Sequence, residues 1–435
     1  MADIRELTRL MAELEDQLVV CMRCGMCQSV CPLYEQTGRE ADVARGKLAL
    51  LDGLMQEMFD DPQGVYDRLN KCLLCGSCAA NCPSGVNVLE IFMKARGILT
   101  GYMGLSPAKK AILRGMLSHP GLFDRVAEWG AKFQKVMSRP VNEVVGTSCA
   151  RFISPLLKER HFLPLADKPF HKRIPALDTR DRRSSPQVAF FVGCLLDKIF
   201  PNAAEAVVDV LVHHQVGIFM PAGQACCGIP AVSSGDLQTF NRLIRHNLER
   251  FDKGEFDYLV TACATCTATI KKVWPNLVER TDPDLADRVT KMADKTIDIN
   301  AYLAREIGVA PPEAEPSESA APVITYHDPC HLKKSLGVAA EPRSLIKANP
   351  RYRLKEMTAS DWCCGMGGSF NLQHYDLSSK IGQQKRDHIA ETGCEVLATG
   401  CPACMLQISD MLSRSGDRIT IRHPIEIYAE TLRKP

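Results

Sequence analysis

The feature that most restricts this chain is a cysteine pattern written twice near its start. Cys21, Cys24, Cys27 and Cys31, followed by Pro32, form C-x2-C-x2-C-x3-C-P, and Cys72, Cys75, Cys78 and Cys82, followed by Pro83, repeat it. Two-residue gaps let a loop fold three thiolates around one face of a small cube. The fourth cysteine begins the next element and points elsewhere, toward the other cluster when two such runs occur together. The pattern therefore predicts one [4Fe-4S] cluster on Cys21, Cys24, Cys27 and Cys82, and another on Cys72, Cys75, Cys78 and Cys31. Zinc is the alternative metal, but it takes four ligands in two pairs, whereas two triplets with exchanged singletons suit cubanes.

Ten more cysteines follow a second duplicated pattern. A single Cys is followed after thirty-one or thirty-two residues by Cys-Cys-Gly, and after thirty-four or thirty-five more by Cys-x2-Cys. The candidate ligands are Cys194, Cys226, Cys227, Cys263 and Cys266, and again Cys330, Cys363, Cys364, Cys401 and Cys404. Adjacent cysteines cannot both point at one tetrahedral ion without backbone strain, but they can bridge neighbouring irons of a larger or opened cluster. Gly228 and Gly365 let the main chain turn tightly beside the sulfurs. Five thiolates exceed the four that a cubane needs, so either one cysteine stays free or the cluster is not a simple cube. Buried free thiols would leave the repeated spacing unexplained.

The second pattern belongs to an internal repeat. VAFFVGC at 188 to 194 matches VITYHDPC at 323 to 330, QACCGIP matches DWCCGMGG, and YLVTACATC matches VLATGCPAC, with corresponding cysteines 136, 137 and 138 residues apart. Each copy opens on a short apolar run, continues into an amphipathic helix and carries a second apolar run before its last cysteine pair. That alternation predicts small α/β units with strands buried on both faces. The first and last cysteines of each copy then sit at carboxyl ends of strands, where open α/β sheets build their sites.

The fold class expected is α+β multidomain: a helical two-cluster ferredoxin domain over 1–100, a helical connector and linker over 101–186, and two tandem α/β Cys-Cys-Gly domains over 187–307 and 323–435. Ile4, Leu7, Met11, Leu14 and Leu18 recur at helical spacing, so residues 3 to 20 read as an amphipathic helix packed on its own domain or docked on a partner. Ala41 to Phe59 is a further helical stretch, and 101 to about 165 continues helical, with breaks at Pro120 and Pro140. LADKPFHKRIPALDTRDRRSSPQ at 165 to 187 reads as a solvated linker, and the Ala/Pro/Glu-rich 308–322 as another.

Composition removes several function classes. Fifty-three Lys and Arg against fifty-one Asp and Glu give no general reason to bind nucleic acid or anionic lipid. No stretch approaches the roughly 18 to 20 apolar residues of a membrane helix, and the N-terminus lacks the basic and apolar regions of a secretory signal. A cytoplasmic protein is expected, with peripheral contact at the inner face of the cell membrane left open. Reduced thiols are then the rule, so the cysteines are to be explained as ligands or nucleophiles; eighteen of the twenty fall into the four groups, and Cys149 and Cys394 lie outside them. Those two are read as packing residues.

Tandem Cys-Cys-Gly copies behind two C-x2-C-x2-C-x3-C-P runs resemble the iron–sulfur subunits of bacterial glycolate oxidase and of related D-lactate dehydrogenases. The resemblance covers nearly the whole chain, including Cys-Pro-Ser-Gly-Val at 82 to 86, Ala-Arg-Gly-Lys at 44 to 47 and HDPCHL at 327 to 332. A similar arrangement occurs in the C subunit of anaerobic glycerol-3-phosphate dehydrogenase and the catalytic subunit of heterodisulfide reductase. The resemblance implies an electron-transfer subunit that takes electrons from FAD on a partner dehydrogenase subunit and relays them to a quinone or other carrier, with no catalytic residue of its own. It implies two [4Fe-4S] clusters plus one or two further iron–sulfur clusters in the Cys-Cys-Gly domains. Both terminal pairs, Cys263/Cys266 and Cys401/Cys404, are intact, as in heterodisulfide reductases whose five-cysteine sets carry a noncubane [4Fe-4S] cluster. A disulfide-reducing subunit is therefore the alternative.

Smaller features complete the reading. Gly365, Gly367 and Gly368 lack the strand and helix context of a dinucleotide fingerprint. His327 and His331 flank Cys330, placed either to scaffold the strand end or to serve cluster sulfur and protons. Arg45 and Lys47 either set positive charge beside the clusters or lie on the surface.

Overall fold

A computed structural model describes residues 4–59, 61–151, 159–179, 186–278, 282–310 and 321–432. Most of the expected linker at 308–322, and positions 180–185 of the polar stretch, lie outside the described residues. The fold is α+β and multidomain, and the chain divides into two compact units.

The first unit comprises residues up to 118 with 228–243 and 365–381. It is helical. Ile4–Met11 packs on Val88–Met103 and Ala44–Met55, so the N-terminal helix serves its own domain, with Leu7, Met11 and Leu14 fully buried. The first cysteine run ends where a helix starts: Cys31 caps Pro32–Thr37, its Sγ accepting from Tyr34 N at 3.5 Å, with Pro32 at the first helical position. The segments after each Cys-Cys-Gly dock on the Val88–Met103 helix or its neighbours. Arg96 Nη1 donates to Ser233 O at 2.7 Å, and a Cβ on Gly97 would meet Leu237 Cδ1 at 2.5 Å.

The second unit holds the remaining residues, 119–227, 244–364 and 382–435. Helix Pro120–Met137 is present as expected, but only Ala131 on it is buried. Leu122, Val126, Trp129, Phe133 and Val136 form an exposed apolar stripe. The expectation of helix through 165 fails at Ser138. There β1 (Ser138–Asn142), β2 (Thr147–Ala150) and β3 (His161–Phe162) make an antiparallel sheet. Pro140 explains the change, since proline lacks a helical N–H and forces its predecessor toward extended backbone.

The two copies share one topology. In the first, β4 (Leu177–Asp178), β5 (Gln187–Phe191), β6 (Gly217–Met220), β7 (Tyr258–Thr261) and β8 (Thr296–Asp298) are ordered β4-β6-β5-β7-β8, parallel except for β4. In the second, β9 (Val323–Tyr326), β10 (Arg353–Leu354), β11 (Val396–Ala398) and β12 (Thr420–Arg422) are all parallel, in the order β10-β9-β11-β12. Setting β4 aside, both read second-first-third-fourth. The chain leaves the first strand of each copy in one direction and returns on its other side, which opens a crevice at the carboxyl ends. Val188 to Phe191, Leu259, Val260, Ile324, Tyr326 and Leu397 are buried, as sheets covered on both faces require.

Candidate metal centres

In the first unit the eight cysteines line two cavities. Cys21, Cys24 and Cys27 share one with Cys82, while Cys72 and Cys75 share the other with Cys31; Cys78 lines both. The empty space in them is about 380 Å³ and about 420 Å³, counted to their open mouths. The fourth cysteine of each run thus faces the cavity of the other. Soft thiols converging in this way fit an iron–sulfur cluster rather than a hard cation. Burial pushes the Cys31 thiol up to about 12 and raises Cys78 well above its ordinary value. Without metal these thiols keep their protons, so cluster assembly displaces protons.

Cations stand beside both cavities. Arg45 lines the first, with Nε 2.6 Å from Glu40 Oε1 and Nη1 3.2 Å from the Arg23 carbonyl. Lys47 lines the second, and it is buried rather than on the surface, donating to the Asp42 carbonyl. Burial lowers its pKa, against the pull of Cys72 and Cys31. Arg96 was not singled out by the sequence. It is fully enclosed and donates from Nη2 to the Cys72 carbonyl at 2.7 Å. Its helical spacing from the apolar Phe92 and Leu99, on one face of Val88–Met103, was the signal available.

In the first copy, Cys194 opens the helix Cys194–Lys198 after β5, and Cys263 caps Ala264–Ala268 after β7, accepting from Cys266 N at 3.4 Å. Sγ of Cys194 and Cys226 are 3.8 Å apart. Cys226 is in hydrogen-bond contact with Cys227, Cys227 with Cys266 and Cys266 with Cys263, so all five thiols form one connected group. Gly193, at φ +75°, is the close approach that admits it, because a Cβ there would lie 3.1 Å from Cys266 Sγ. Gly228 and Gly365 take φ of +95° and +90°, the tight turn expected after each Cys-Cys pair. Asn247 holds that turn, accepting from Ala225 N at 2.9 Å and donating to Cys226 O at 3.1 Å. Trp274 Nε1 donates to Cys227 O at 2.8 Å.

In the second copy, Cys330 opens the helix Cys330–Leu336, Cys401 caps Pro402–Arg414, and Sγ of Cys364 and Cys404 are 3.3 Å apart. Cys363 is buried beside Cys364. Hydrogen bonds from Cys263 and Cys404 hold the Cys401 thiol well below its ordinary pKa. The two copies therefore meet at their last cysteine pairs. Lys385 is buried in this copy, donating to Ala359 O at 2.6 Å and Ser360 O at 3.2 Å; burial drives its pKa down to about 8 against the pull of Cys364. His327 bonds Ser360 through Nδ1, and burial pushes its pKa down to about 3, so the ring is neutral. His331 Nδ1 lies 3.1 Å from Thr265 Oγ1. Cys394 is buried, while Cys149 is half-buried with its Sγ 3.4 Å from Arg139 Nε. Gly365, Gly367 and Gly368 all take positive φ in a loop, not in a strand-to-helix turn.

What such an assembly of thiols holds is iron and sulfide, and the class is that of iron–sulfur redox proteins. A "4Fe-4S dicluster domain" model matches residues 17–86, and a "Cysteine-rich domain" model matches 188–271 and 324–409. The chain is 28% identical over 425 residues to a probable glycolate oxidase iron-sulfur subunit of Bacillus subtilis, covering 92% of this chain and 90% of that one. Lactate utilization protein A of the same organism is 31% identical over 241 residues, 55% of this chain and 98% of its own. One subunit of a fumarate reductase (CoM/CoB) from Methanothermobacter marburgensis is 25% identical over 405 residues, 91% and 68% of the two chains. A crystal structure of a hypothetical protein from Helicobacter pylori shares the fold, with a TM-score of 0.52 at 11% identity over all of this chain and 78% of that one. The chain belongs to the family of iron–sulfur oxidoreductase subunits that place a dicluster segment ahead of two cysteine-rich domains. Among the described residues no helix is long and apolar enough to cross a membrane.

Proposed function

We propose that this chain is the electron-transfer subunit of a flavin-dependent 2-hydroxy-acid dehydrogenase, of the glycolate or D-lactate kind. It relays electrons from an FAD-containing partner subunit to a quinone or another carrier, in the cytoplasm or against the inner face of the membrane. The observation that carries the reading is that the eight cysteines of the two runs line two cavities sharing Cys78, and that the cysteine groups of the two copies meet through Cys263 and Cys401. Clusters bound at these sites supply one-electron redox chemistry. The chain's own residues do the rest. Cys21, Cys24, Cys27 and Cys82 hold one [4Fe-4S] cluster, and Cys72, Cys75, Cys78 and Cys31 the other. The five cysteines of each copy hold a further cluster. Arg45, Lys47, Arg96 and Lys385 place positive charge beside them, which favours the reduced state. The glycolate oxidase name of one relative supports the substrate class. The exposed stripe containing Trp129 and Phe133 supports an apolar partner surface.

The test is anaerobic purification from the native host, with iron, sulfide and flavin quantified and co-purifying chains identified. A flavoprotein partner and hydroxy-acid-dependent reduction of the clusters is the expected result. An iron-rich chain that travels without flavin and turns over disulfides with an artificial reductant would replace this reading with a heterodisulfide-reductase-like subunit. The complete five-cysteine sets and the fumarate reductase (CoM/CoB) relative favour that second reading.

A further inference from the structure

One imidazole in the second copy stands as a ligand would. His327 follows directly on β9 and is 1% exposed. Its Nδ1 is 3.1 Å from the Ser360 carbonyl oxygen, which can only accept, so Nδ1 carries a proton and in the neutral ring Nε2 keeps its lone pair. That Nε2 has no hydrogen-bond partner. A ring nitrogen of His327 and the sulfurs of Cys364 and Cys404 all lie within 4.8 Å of one another, and all three residues are buried. A buried acceptor left without a donor is costly and needs a reason. A neutral imidazole whose other nitrogen donates to a main-chain carbonyl is the arrangement that metal-bound histidines adopt.

The ring is also held in place. The Ser360 carbonyl receives Asp328 N at 3.0 Å and Lys385 Nζ at 3.2 Å besides His327. The Asp328 carboxylate accepts from Ser360 Oγ and from Arg343 Nη1, both at 2.8 Å. The first copy lacks the nitrogen. Val188 pairs with Tyr258 as Ile324 pairs with Val396, so register makes Phe191 the counterpart of His327. A Cβ built on Gly193 would lie 3.8 Å from the Phe191 ring and 3.1 Å from Cys266 Sγ, which puts a phenyl group where the second copy has an imidazole.

We propose that His327, through Nε2, is an iron ligand of the second Cys-Cys-Gly centre beside Cys364 and Cys404. The two copies then hold chemically different centres, with thiolates alone in the first and thiolates with imidazole in the second. The inference rests on the reading that both sites hold iron–sulfur clusters. It predicts that exchanging the neutral nitrogen for a thiolate adds negative charge and lowers the potential of that centre alone.

The test uses the full chain, purified anaerobically with and without 15N-histidine and poised at the odd-electron state of each centre for pulsed EPR. The expected result is a directly coordinated histidine nitrogen in one centre, lost in His327→Gln and His327→Cys and kept in His331→Ala, with a lower midpoint in His327→Cys. If Cys364→Ala removes iron but no histidine coupling is seen, or coupling survives in His327→Gln, the ligand assignment is overturned and the cluster reading stands. If Cys227→Ala and Cys364→Ala both leave iron and sulfide unchanged, the cluster reading itself fails and takes this inference with it. The labelled wild-type spectrum decides even where a variant does not fold.

Discussion

Thr265 of the first copy places its hydroxyl oxygen 3.4 Å from Sγ of Cys401 in the second. The neighbouring main chain is joined too, with Ala264 N donating to Gly400 O at 3.0 Å. Each Cys-x2-Cys loop leaves the carboxyl end of its third strand, so two copies packed by those ends bring the same loop of each together. A hydrogen bond to a ligand sulfur stabilises its added negative charge.

Thr265→Val keeps the shape and removes that donor. The centre of Cys401 should fall in midpoint potential by a few tens of millivolts, since about 59 mV of a one-electron couple corresponds to about 1.4 kcal/mol and one hydrogen bond to roughly 1 kcal/mol. A redox titration followed by EPR reads the shift, and the two centres of the helical unit should not move.

The exchange of fourth cysteines between cavities is tested by paired variants. Cys82→Ala should lose the same EPR-detected centre as Cys24→Ala, and Cys31→Ala the same one as Cys75→Ala. If Cys31→Ala instead matches Cys24→Ala, each run holds its own cluster.

Gly193→Ala asks a Cβ to share space with Cys266 Sγ at 3.1 Å in a backbone conformation of φ +75°. The substitution should cost about 1–3 kcal/mol and reduce iron at the first Cys-Cys-Gly centre, leaving the second loaded. Anaerobic denaturant unfolding and iron analysis measure the two effects.

His171 and Asp197 give a pH dependence. His171 Nδ1 lies 2.9 Å from both carboxylate oxygens of Asp197, whose hydrogen bond raises the imidazole pKa above its ordinary 6.5. Asp197 is held below its ordinary 3.8; burial opposes this, but the bonds from His171 and the charge of Lys198 outweigh it. A raised histidine contributes stability that is complete below about pH 6.5 and is lost as pH rises through its folded value. A lowered aspartate contributes above about pH 3.8 and loses it as pH falls. Asp197→Asn should therefore destabilise more at pH 6 than at pH 8.5. The difference should be on the order of 1 kcal/mol, screening included, in anaerobic urea unfolding.

Spacing along the chain was enough to state that two cysteine runs serve paired sites, that the later cysteines belong to duplicated α/β units, and that Cys194, Cys263, Cys330 and Cys401 stand at strand ends. These are local consequences: a loop of two-residue gaps, a proline after the last cysteine, and a buried apolar strand each carry their geometry within about ten residues. The strands β6, β8, β10 and β12 were not legible, being two to four residues long without alternation. The strands β1, β2 and β3 were missed because a helical pattern was read on through them from the helix that ends at Met137.

The tertiary structure alone decided which charges and rings face the sulfurs. Sequence left Lys47 open between the clusters and the surface, and it is buried on a carbonyl beside Cys31 and Cys72. Arg96 reads as one of two cations on its helix, yet it is buried and binds the carbonyl of Cys72. The repeat already aligns His327 with Phe191, but only the structure shows that the imidazole stands beside Cys364 and Cys404. Cys263 and Cys401 lie 138 positions apart and touch. The candidate ligands were named from spacing along the chain, whereas the surroundings of each cysteine group come from elements far apart in the chain, whose approach is set by how helices and sheets bury their apolar faces.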